Sequence, residues 1–267
     1  MKNLALVWVL AACLLGCGGR DKDAKNKAVP AVDTAAVIPD TVAAAPDTVV
    51  IALDTVAVAP DTTPKPVAKK PKPVITTFTD SRDGKVYKIV KIGSQTWFAE
   101  NLNYAAEGSK CYGEDGFVIN IDRLFNTDVQ ANCTKYGRLY NWKTALTACP
   151  AGTHLPTDEE WTTLVDYVGG SKIAGKKLKS TNGWGYEDRS TNEYGFSALP
   201  GGYGYLDVRF SYADSYGYWW GATECDAYYV WRRDMLYNHE GVLRSYGDKR
   251  VLNSVRCVLD DEKEKRK

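Results

Sequence analysis

The feature that most constrains this chain is where its aromatic side chains fall. Of 8 Trp, 17 Tyr and 6 Phe, all but Trp8 lie at or beyond Phe78, and residues 18–77 hold none. A segment without large apolar side chains cannot offset the ~1–2 kcal/mol per residue that ordering its backbone costs. Only the part from Phe78 onward can build a core. Residues 78–260 have the length of one domain, for which ~100–200 residues is usual.

Charge and histidine content exclude several function classes. Lys and Arg number 34 against 33 Asp and Glu, a formal charge of +1. A domain that neutralises phosphate needs a basic surplus, so no nucleic-acid partner is expected. Only His154 and His239 are present, which limits metal and acid–base chemistry without excluding carboxylates. Neither has sequence neighbours that make a nucleophile credible, and His154 reads as a structural residue before a helix. No cysteine or histidine spacing suggests zinc, and no glycine loop suited to phosphate occurs.

The N-terminus reads as an export signal. Met1-Lys2-Asn3 is a short positive region, and Leu4 to Leu15 is an apolar run too short for a bilayer core of ~30 Å. Leu14-Leu15-Gly16-Cys17 resembles the bacterial lipobox, and Leu10-Ala11-Ala12-Cys13 fits the same pattern. Cys17 is the preferred lipid-attachment residue, with Cys13 as the alternative, because Cys17 leaves the longer apolar run and precedes polar Gly18-Gly19-Arg20-Asp21. The expectation is a signal peptide over 1–16 and attachment to a membrane through acyl chains. Gly18 in place of Asp favours the outer membrane or cell surface by resemblance to the usual sorting pattern.

Residues 17–77 read as a linker. Asp-Thr recurs at Asp33, Asp40, Asp47, Asp54 and Asp61, a strict period of seven. The period invites a coiled-coil reading, but Pro30, Pro39, Pro46, Pro60 and Pro64 interrupt any helix at ~3 kcal/mol each. A disordered, self-repelling spacer is expected, ending in the lysine-rich run from Lys65 to Lys72. Residues 261–267 form a charged tail.

Within the domain the local signals are clearer. Asp83-Gly84, the part-alternating run Val86–Ile92, Gly93-Ser94 and Gln95–Phe98 read as a hairpin. Asn141 precedes Trp142, Ala145, Leu146 and Cys149 on one helical face, ended by Pro150. Thr157-Asp158-Glu159-Glu160 is a capping box for a helix with Trp161, Leu164, Val165 and Val168 inward and Gly169 as its stop. The three acids therefore have a structural explanation at the positive end of a helix dipole. Short strands are expected at Phe196–Leu199, Tyr218–Ala222, Ala227–Trp231 and Val251–Leu259. The predicted class is α+β, with two helices, a twisted antiparallel sheet and long irregular loops.

Several segments carry a family resemblance. Phe78–Tyr87, Trp97–Tyr104, Tyr136–Trp142, Cys149–Pro156, Tyr194–Tyr203, Tyr218-Trp219-Trp220 and Ser254-Val255-Arg256-Cys257 are similar to the Fibrobacter succinogenes major paralogous domain. The resemblance runs from about Phe78 to Asp260 and implies a surface or secreted module, often lipid-anchored. A looser similarity to the C-type lectin-like plan rests on Trp142, Ala145, Cys149, Gly152, Leu155, the capped helix, the Trp-Trp strand and the late cysteine. That plan implies a Cys149–Cys257 disulfide. Of the five cysteines beyond Cys17, Cys111–Cys133 is expected as the second pair, leaving Cys225 over. No cofactor is expected. Calcium, which many lectins of this fold bind, finds only Asp80, Asp83, Asp122 and Asp128 as scattered oxygen donors and no Glu-Pro-Asn or Trp-Asn-Asp signature.

Leu155–Trp161 also resembles a segment of formylglycine-generating enzymes. Those enzymes use cysteines beside a Gly-Gly-Ser-type segment, whereas here Gly201-Gly202-Tyr203-Gly204-Tyr205 is followed by no cysteine before Cys225. The copper oxidase chemistry is thus disfavoured, and no catalytic residue is assigned. Binding has more to work with, because the stretch Tyr203–Trp231 is crowded with aromatics. Strand alternation places one of Trp219 and Trp220 outward. The candidate ligand residues are Tyr203, Tyr205, Tyr212, Tyr216, Trp219, Trp220, Glu224, Asp226, Tyr228 and Trp231, with Asp207, Arg209 and Asp214 nearby. The expected function is a non-enzymatic surface module recognising glycan or polysaccharide. Adhesion to an envelope protein partner and a structural envelope role are the alternatives.

Overall fold

Two glycine turns set the first sheet. Gly84 (φ +72) and Gly93 (φ +63) adopt the left-handed backbone that the expected hairpin needs. The computed structural model describes residues 72–119, 128–185, 190–205 and 209–260. Cys13, Cys17, the Asp-Thr repeat, Asp122, Asp207 and the tail at 261–267 lie outside the described residues.

In chain order the elements are β1 (Ile75–Thr79), β2 (Val86–Ile92), β3 (Gln95–Phe98), β4 (Phe117–Ile119), α1 (Val129–Tyr136) and β5 (Leu139–Tyr140). There follow α2 (Trp142–Ala148), β6 (Thr153–His154), α3 (Asp158–Tyr167), α4 (Ala174–Leu178), β7 (Gly201–Tyr205) and β8 (Arg209–Ala213). The chain closes with β9 (Tyr216–Glu224), β10 (Tyr229–Leu236), β11 (Leu243–Asp248), β12 (Asn253–Ser254) and β13 (Val258–Leu259). One sheet has the order β1-β2-β3-β13-β6, and the other runs β11-β10-β9-β7-β8-β4, with β12 and β5 joined beside β9.

The mixed helix and sheet class is as expected, but two features differ. Four helices are described instead of two: α1 is capped by Asp128, whose carboxylate accepts from the Ala131 amide, and α4 is a short turn after Gly170. The second sheet is mixed and not purely antiparallel, because β7 runs parallel to β9 and β4 parallel to β8. Of the strand expectations, Tyr218–Ala222 falls within β9, whereas the Ala227–Trp231 strand starts at Tyr229 and continues to Leu236. Val251–Leu259 is split into β12 and β13 around Val255, Arg256 and Cys257. Phe196–Leu199 is not a strand; Ser197 turns to φ +53 and leaves a single bridge from Ala198 to Lys179.

The two sequence-marked helices form as their caps dictate. Asn141 accepts from the Thr144 amide at the start of α2. Thr157 and Glu160 form both bonds of the capping box on α3. Along α2 the buried positions are Trp142, Ala145 and Ala148, so the inward stripe drifts away from Leu146, which is exposed. Strand β9 lies between two packed layers. Trp219 joins Trp97, Trp161 and Phe196 in one cluster, whereas Trp220 joins Trp142, Phe98 and Leu155 in another. A third, smaller cluster gathers Tyr112, Tyr136, Phe210 and Leu252.

Both expected disulfides form. Cys111–Cys133 and Cys149–Cys257 have Cα separations of 5.0 and 5.9 Å, and the second closes a sequence span of 108 residues. In the chain-entropy description a loop of that length stabilises the fold by ~4–5 kcal/mol. Cys225, which the cysteine count leaves over, belongs to neither of these two pairs.

At the centre, Arg256 is fully buried. Its Nη1 donates to the carbonyls of Phe98 and Phe196, and its Nε and Nη2 donate to Asn101 Oδ1 at 3.2 and 2.8 Å. Burial pulls its pKa down to about 9, with a partial return from Glu100. Arg256→Ala removes the donors to at least three buried acceptors and opens a cavity. A loss of ~4 kcal/mol of unfolding free energy is expected in urea titration, against less than ~1 kcal/mol for the exposed Leu146→Ala.

Candidate functional site

Tyrosine and tryptophan separate cleanly. Among the described residues every tryptophan from Trp97 to Trp220 is buried, and only Trp231 is half-exposed. Trp219 and Trp220 therefore leave the set of candidate ligand residues. Alternation does send them to opposite faces, but both faces of β9 are covered there. Their indole nitrogens are also committed, Trp219 Nε1 to Asn101 Oδ1 at 2.9 Å and Trp220 Nε1 to the Tyr140 carbonyl at 2.7 Å.

The remaining candidates fall into two groups. Toward the start of β9, tyrosine rings touch in series. Centroids are 5.6 Å apart for Tyr203 and Tyr218, 5.9 Å for Tyr203 and Tyr212, and 4.8 Å for Tyr212 and Tyr216. Tyr216 also contacts Tyr218 and Tyr237, both at 6.3 Å. Tyr218 and Tyr237 are additions to the expected set; Tyr237 lies beyond the aromatic-rich window from which the candidates were drawn.

Backbone geometry explains how this patch is displayed. Tyr212 has φ +67, unfavourable for a residue with a Cβ by ~1–2 kcal/mol. Its strand neighbour Gly202 has φ +66, where a Cβ would lie 2.3 Å from the Ser211 carbonyl oxygen. Together they turn Tyr212 out of the regular strand alternation, and its side chain is exposed. Beside Tyr218 lies a charged pair. The Arg232 guanidinium sits 4.5 Å over the Tyr218 ring, and its Nε is 3.0 Å from Asp234 Oδ1. Burial raises the Asp234 pKa, opposed by Arg232 and by the Ser245 hydroxyl, which donates to Oδ2. Burial also raises the Tyr218 phenol, with Asp234 adding to the effect.

The second group lies at the far end of the same strand. From Tyr216 to Glu224 is eight steps, or ~26 Å at 3.3 Å per residue. Glu224 pairs with Lys249 at 3.1 Å. Asp226 accepts from the Tyr228 and Tyr229 amides and holds their turn. Tyr228 is 74% exposed, and Trp231 is covered by the Arg244 guanidinium at 3.3 Å. Tyr205 packs against the cluster of Trp142 and Trp220, with Arg209 5.0 Å from its ring. The ten candidates thus do not form one site.

Residues weighed for metal or acid–base chemistry are occupied otherwise. Asp80 binds Arg82, Asp83 pairs with Lys85, and Asp128 caps α1. No cluster suited to a metal ion occurs among the described residues. His239 Nδ1 accepts from the Gly241 amide. His154 is held on both sides, Nε2 to Glu160 at 2.8 Å and Nδ1 to Asp260 at 2.7 Å. Those carboxylates, Glu160 first, outweigh burial and push its pKa up to about 9. Burial would raise Glu160, but His154 and the Thr157 amide hold it below its ordinary value.

Fold and site together define a disulfide-bonded α+β domain with a tryptophan core and a displayed tyrosine surface. The chain matches the family model described as the Fibrobacter succinogenes major domain over residues 90–259, and it belongs to that family. No curated protein and no solved structure matches it.

The His154 pairing has a pH signature. Because its folded pKa is raised, the stabilisation is complete below about 6.5 and is lost as pH rises through about 9. The lowered Glu160 adds the opposite limb, lost on acidification below its ordinary value. His154→Ala is expected to cost ~1–2 kcal/mol near pH 6, allowing for solvent screening, and almost nothing above pH 10. Urea titrations of both proteins across pH 4–10 measure this difference.

Proposed function

We propose that this chain is a lipid-anchored cell-surface module, of C-type lectin-like architecture, that binds a neutral glycan or polysaccharide on its tyrosine patch without catalysing a reaction. The observation that carries the reading is the series of ring contacts through Tyr203, Tyr212, Tyr216, Tyr218 and Tyr237, with Tyr212 turned outward at a cost in backbone energy. A strand residue in left-handed conformation persists only when its surroundings impose it, and such outliers gather at ligand sites.

Chemistry favours sugar. Flat phenol rings present apolar faces to pyranose C–H groups, and their hydroxyls exchange hydrogen bonds with those of the sugar. The adjacent Arg232 guanidinium is balanced by the buried Asp234 carboxylate, so the patch carries donors with no net charge, suited to neutral hydroxyls. For the architecture, the disulfide from the end of α2 to the segment before β13 supports the lectin-like reading. For the anchor, the support is the lipobox-like segment ending at Cys17 and the aromatic-free spacer that follows it.

Two measurements test this. Pull-down of the full chain on insoluble neutral polysaccharides, with a glycan array alongside, is expected to show retention. Tyr212→Ala with Tyr216→Ala should weaken it ten- to thirtyfold, the ~1.5–2 kcal/mol of two anchoring aromatics. Retention unchanged in this variant, or capture of an envelope protein in place of any glycan, would sink the sugar reading. Trp220→Ala is not a useful probe, because it removes a core side chain. Separately, Cys17→Ser is expected to move the protein from the membrane to the soluble fraction; release by Cys13→Ser instead would reassign the anchor.

A further inference from the structure

The second group of candidates borders a groove of about 530 Å³ lined by Asn141, Trp142, Lys143, Lys249 and Arg250. That volume is within the ~300–1,000 Å³ usual for ligand sites. It forms where the start of α2 meets the turn after β11: the Trp142 amide donates to the Lys249 carbonyl, and Lys249 Nζ lies 4.8 Å over the Trp142 ring. Three of its five lining side chains are cations, and no carboxylate lines it.

The cations are not equivalent. Lys249 is structural, because its Nζ donates to the Ala227 carbonyl and pairs with Glu224, and its amide donates to the Tyr228 carbonyl. Those bonds tie the exposed Tyr228 turn to the groove. Arg250 pairs with Asp248 at 2.6 Å, yet its side chain is 69% exposed. Asp248 takes the Nε and Nη2 side of the guanidinium, at 3.0 and 2.6 Å, which leaves the exposed Nη1 side for an incoming carboxylate. Lys143 is exposed and has no ion-pair partner among the described residues.

We infer that this groove binds an acidic polysaccharide, a chain of sugar rings bearing carboxylates. Lys143 and Arg250 receive the carboxylates, and the exposed Tyr228 ring receives a sugar face. A polymer that alternates ring and carboxylate suits a surface that sets an aromatic beside cations, whereas an isolated small anion gains nothing from Tyr228. Guanidinium and carboxylate match as planar, bidentate partners. The groove and the tyrosine patch lie toward opposite ends of β9, so each reading can fail alone.

The test uses the full chain with polygalacturonate, and the same polymer fully methyl-esterified as a neutral control. Calorimetric titration is expected to show binding at 10 mM salt that weakens at least tenfold by 300 mM, as screening requires. Binding to the methyl ester should be at least tenfold weaker at low salt. Lys143→Glu with Arg250→Glu should reduce affinity for polygalacturonate more than tenfold, and Tyr228→Ala severalfold. Tyr212→Ala with Tyr216→Ala should leave it unchanged. All the altered side chains are exposed or at the surface, and an unaltered near-ultraviolet dichroism spectrum confirms folding. Equal binding of the ester, no binding of the charged polymer, or full affinity in the charge-reversed variant would each overturn the proposal. Loss of affinity in the tyrosine-patch variant instead would transfer acidic-sugar binding to that surface.

Discussion

A guanidinium buried without a carboxylate organises this domain. Taking Arg256 out of water costs several kcal/mol, and only a full set of acceptors makes that tolerable. The acceptors come from distant segments: Asn101 and Phe98 at the end of the first hairpin, and Phe196 beyond α4. Asn101 is the second half of the device. Its Oδ1 takes Arg256 and the Trp219 indole together, while its Nδ2 donates to the Tyr136 carbonyl at 2.9 Å. One charged group thus fixes β3, α1, β9 and the segment between β12 and β13 relative to one another. Its immediate neighbour Cys257 carries the disulfide to Cys149, so a covalent and a polar constraint act on adjacent residues.

That arrangement decides which aromatics can reach a ligand. Anchoring Trp219 from one side and Trp220 from the other leaves β9 covered on both faces through its middle. The buried tryptophans are consumed by the core, each indole N–H finding an acceptor, as in Trp161 to the Trp220 carbonyl and Trp142 to the Gly221 carbonyl. Only the two ends of β9 remain open. One displays tyrosines on β7, β8 and β9; the other, past the register shift between Val230 and Arg232, ends in the turn of Tyr228.

How much of this was legible in the sequence depends on the range of the interaction concerned. The capping box at Thr157, the Asn141 cap and the Asp83-Gly84 turn are written within four residues, and all three appear as expected. Helix α1 offers little local signal beyond its cap, Asp128, which reads equally well as an oxygen donor, and α4 is barely more than a turn. Exposure of Leu146 follows from a helix too short to hold one stripe, since Ala148 completes the inward face. The error over Trp219 and Trp220 has a different source. Alternation gives the side each residue faces, but whether that side meets solvent depends on α2 and α3, whose placement no local pattern records. The clamp of His154 between Glu160 and Asp260 reaches across 106 residues and has no sequence signal.

The segments that carry the family resemblance converge on the core. Trp97–Tyr104 supplies Phe98 and Asn101, Tyr194–Tyr203 supplies Phe196, Tyr218–Trp220 supplies the paired indoles, and Ser254–Cys257 supplies Arg256 and the disulfide. Those residues specify a scaffold, and their side chains are spent inside it. Of the surface groups proposed to meet a ligand, Tyr212, Tyr216, Tyr228, Tyr237, Lys143 and Arg250 fall outside those segments, and Tyr203 and Tyr218 stand at their ends. A chain built on the same frame is therefore free to carry a different set of side chains at the ends of β9. Membership of the family then accounts for the architecture, and what such a domain binds is a separate question, decided by the side chains displayed at the ends of β9.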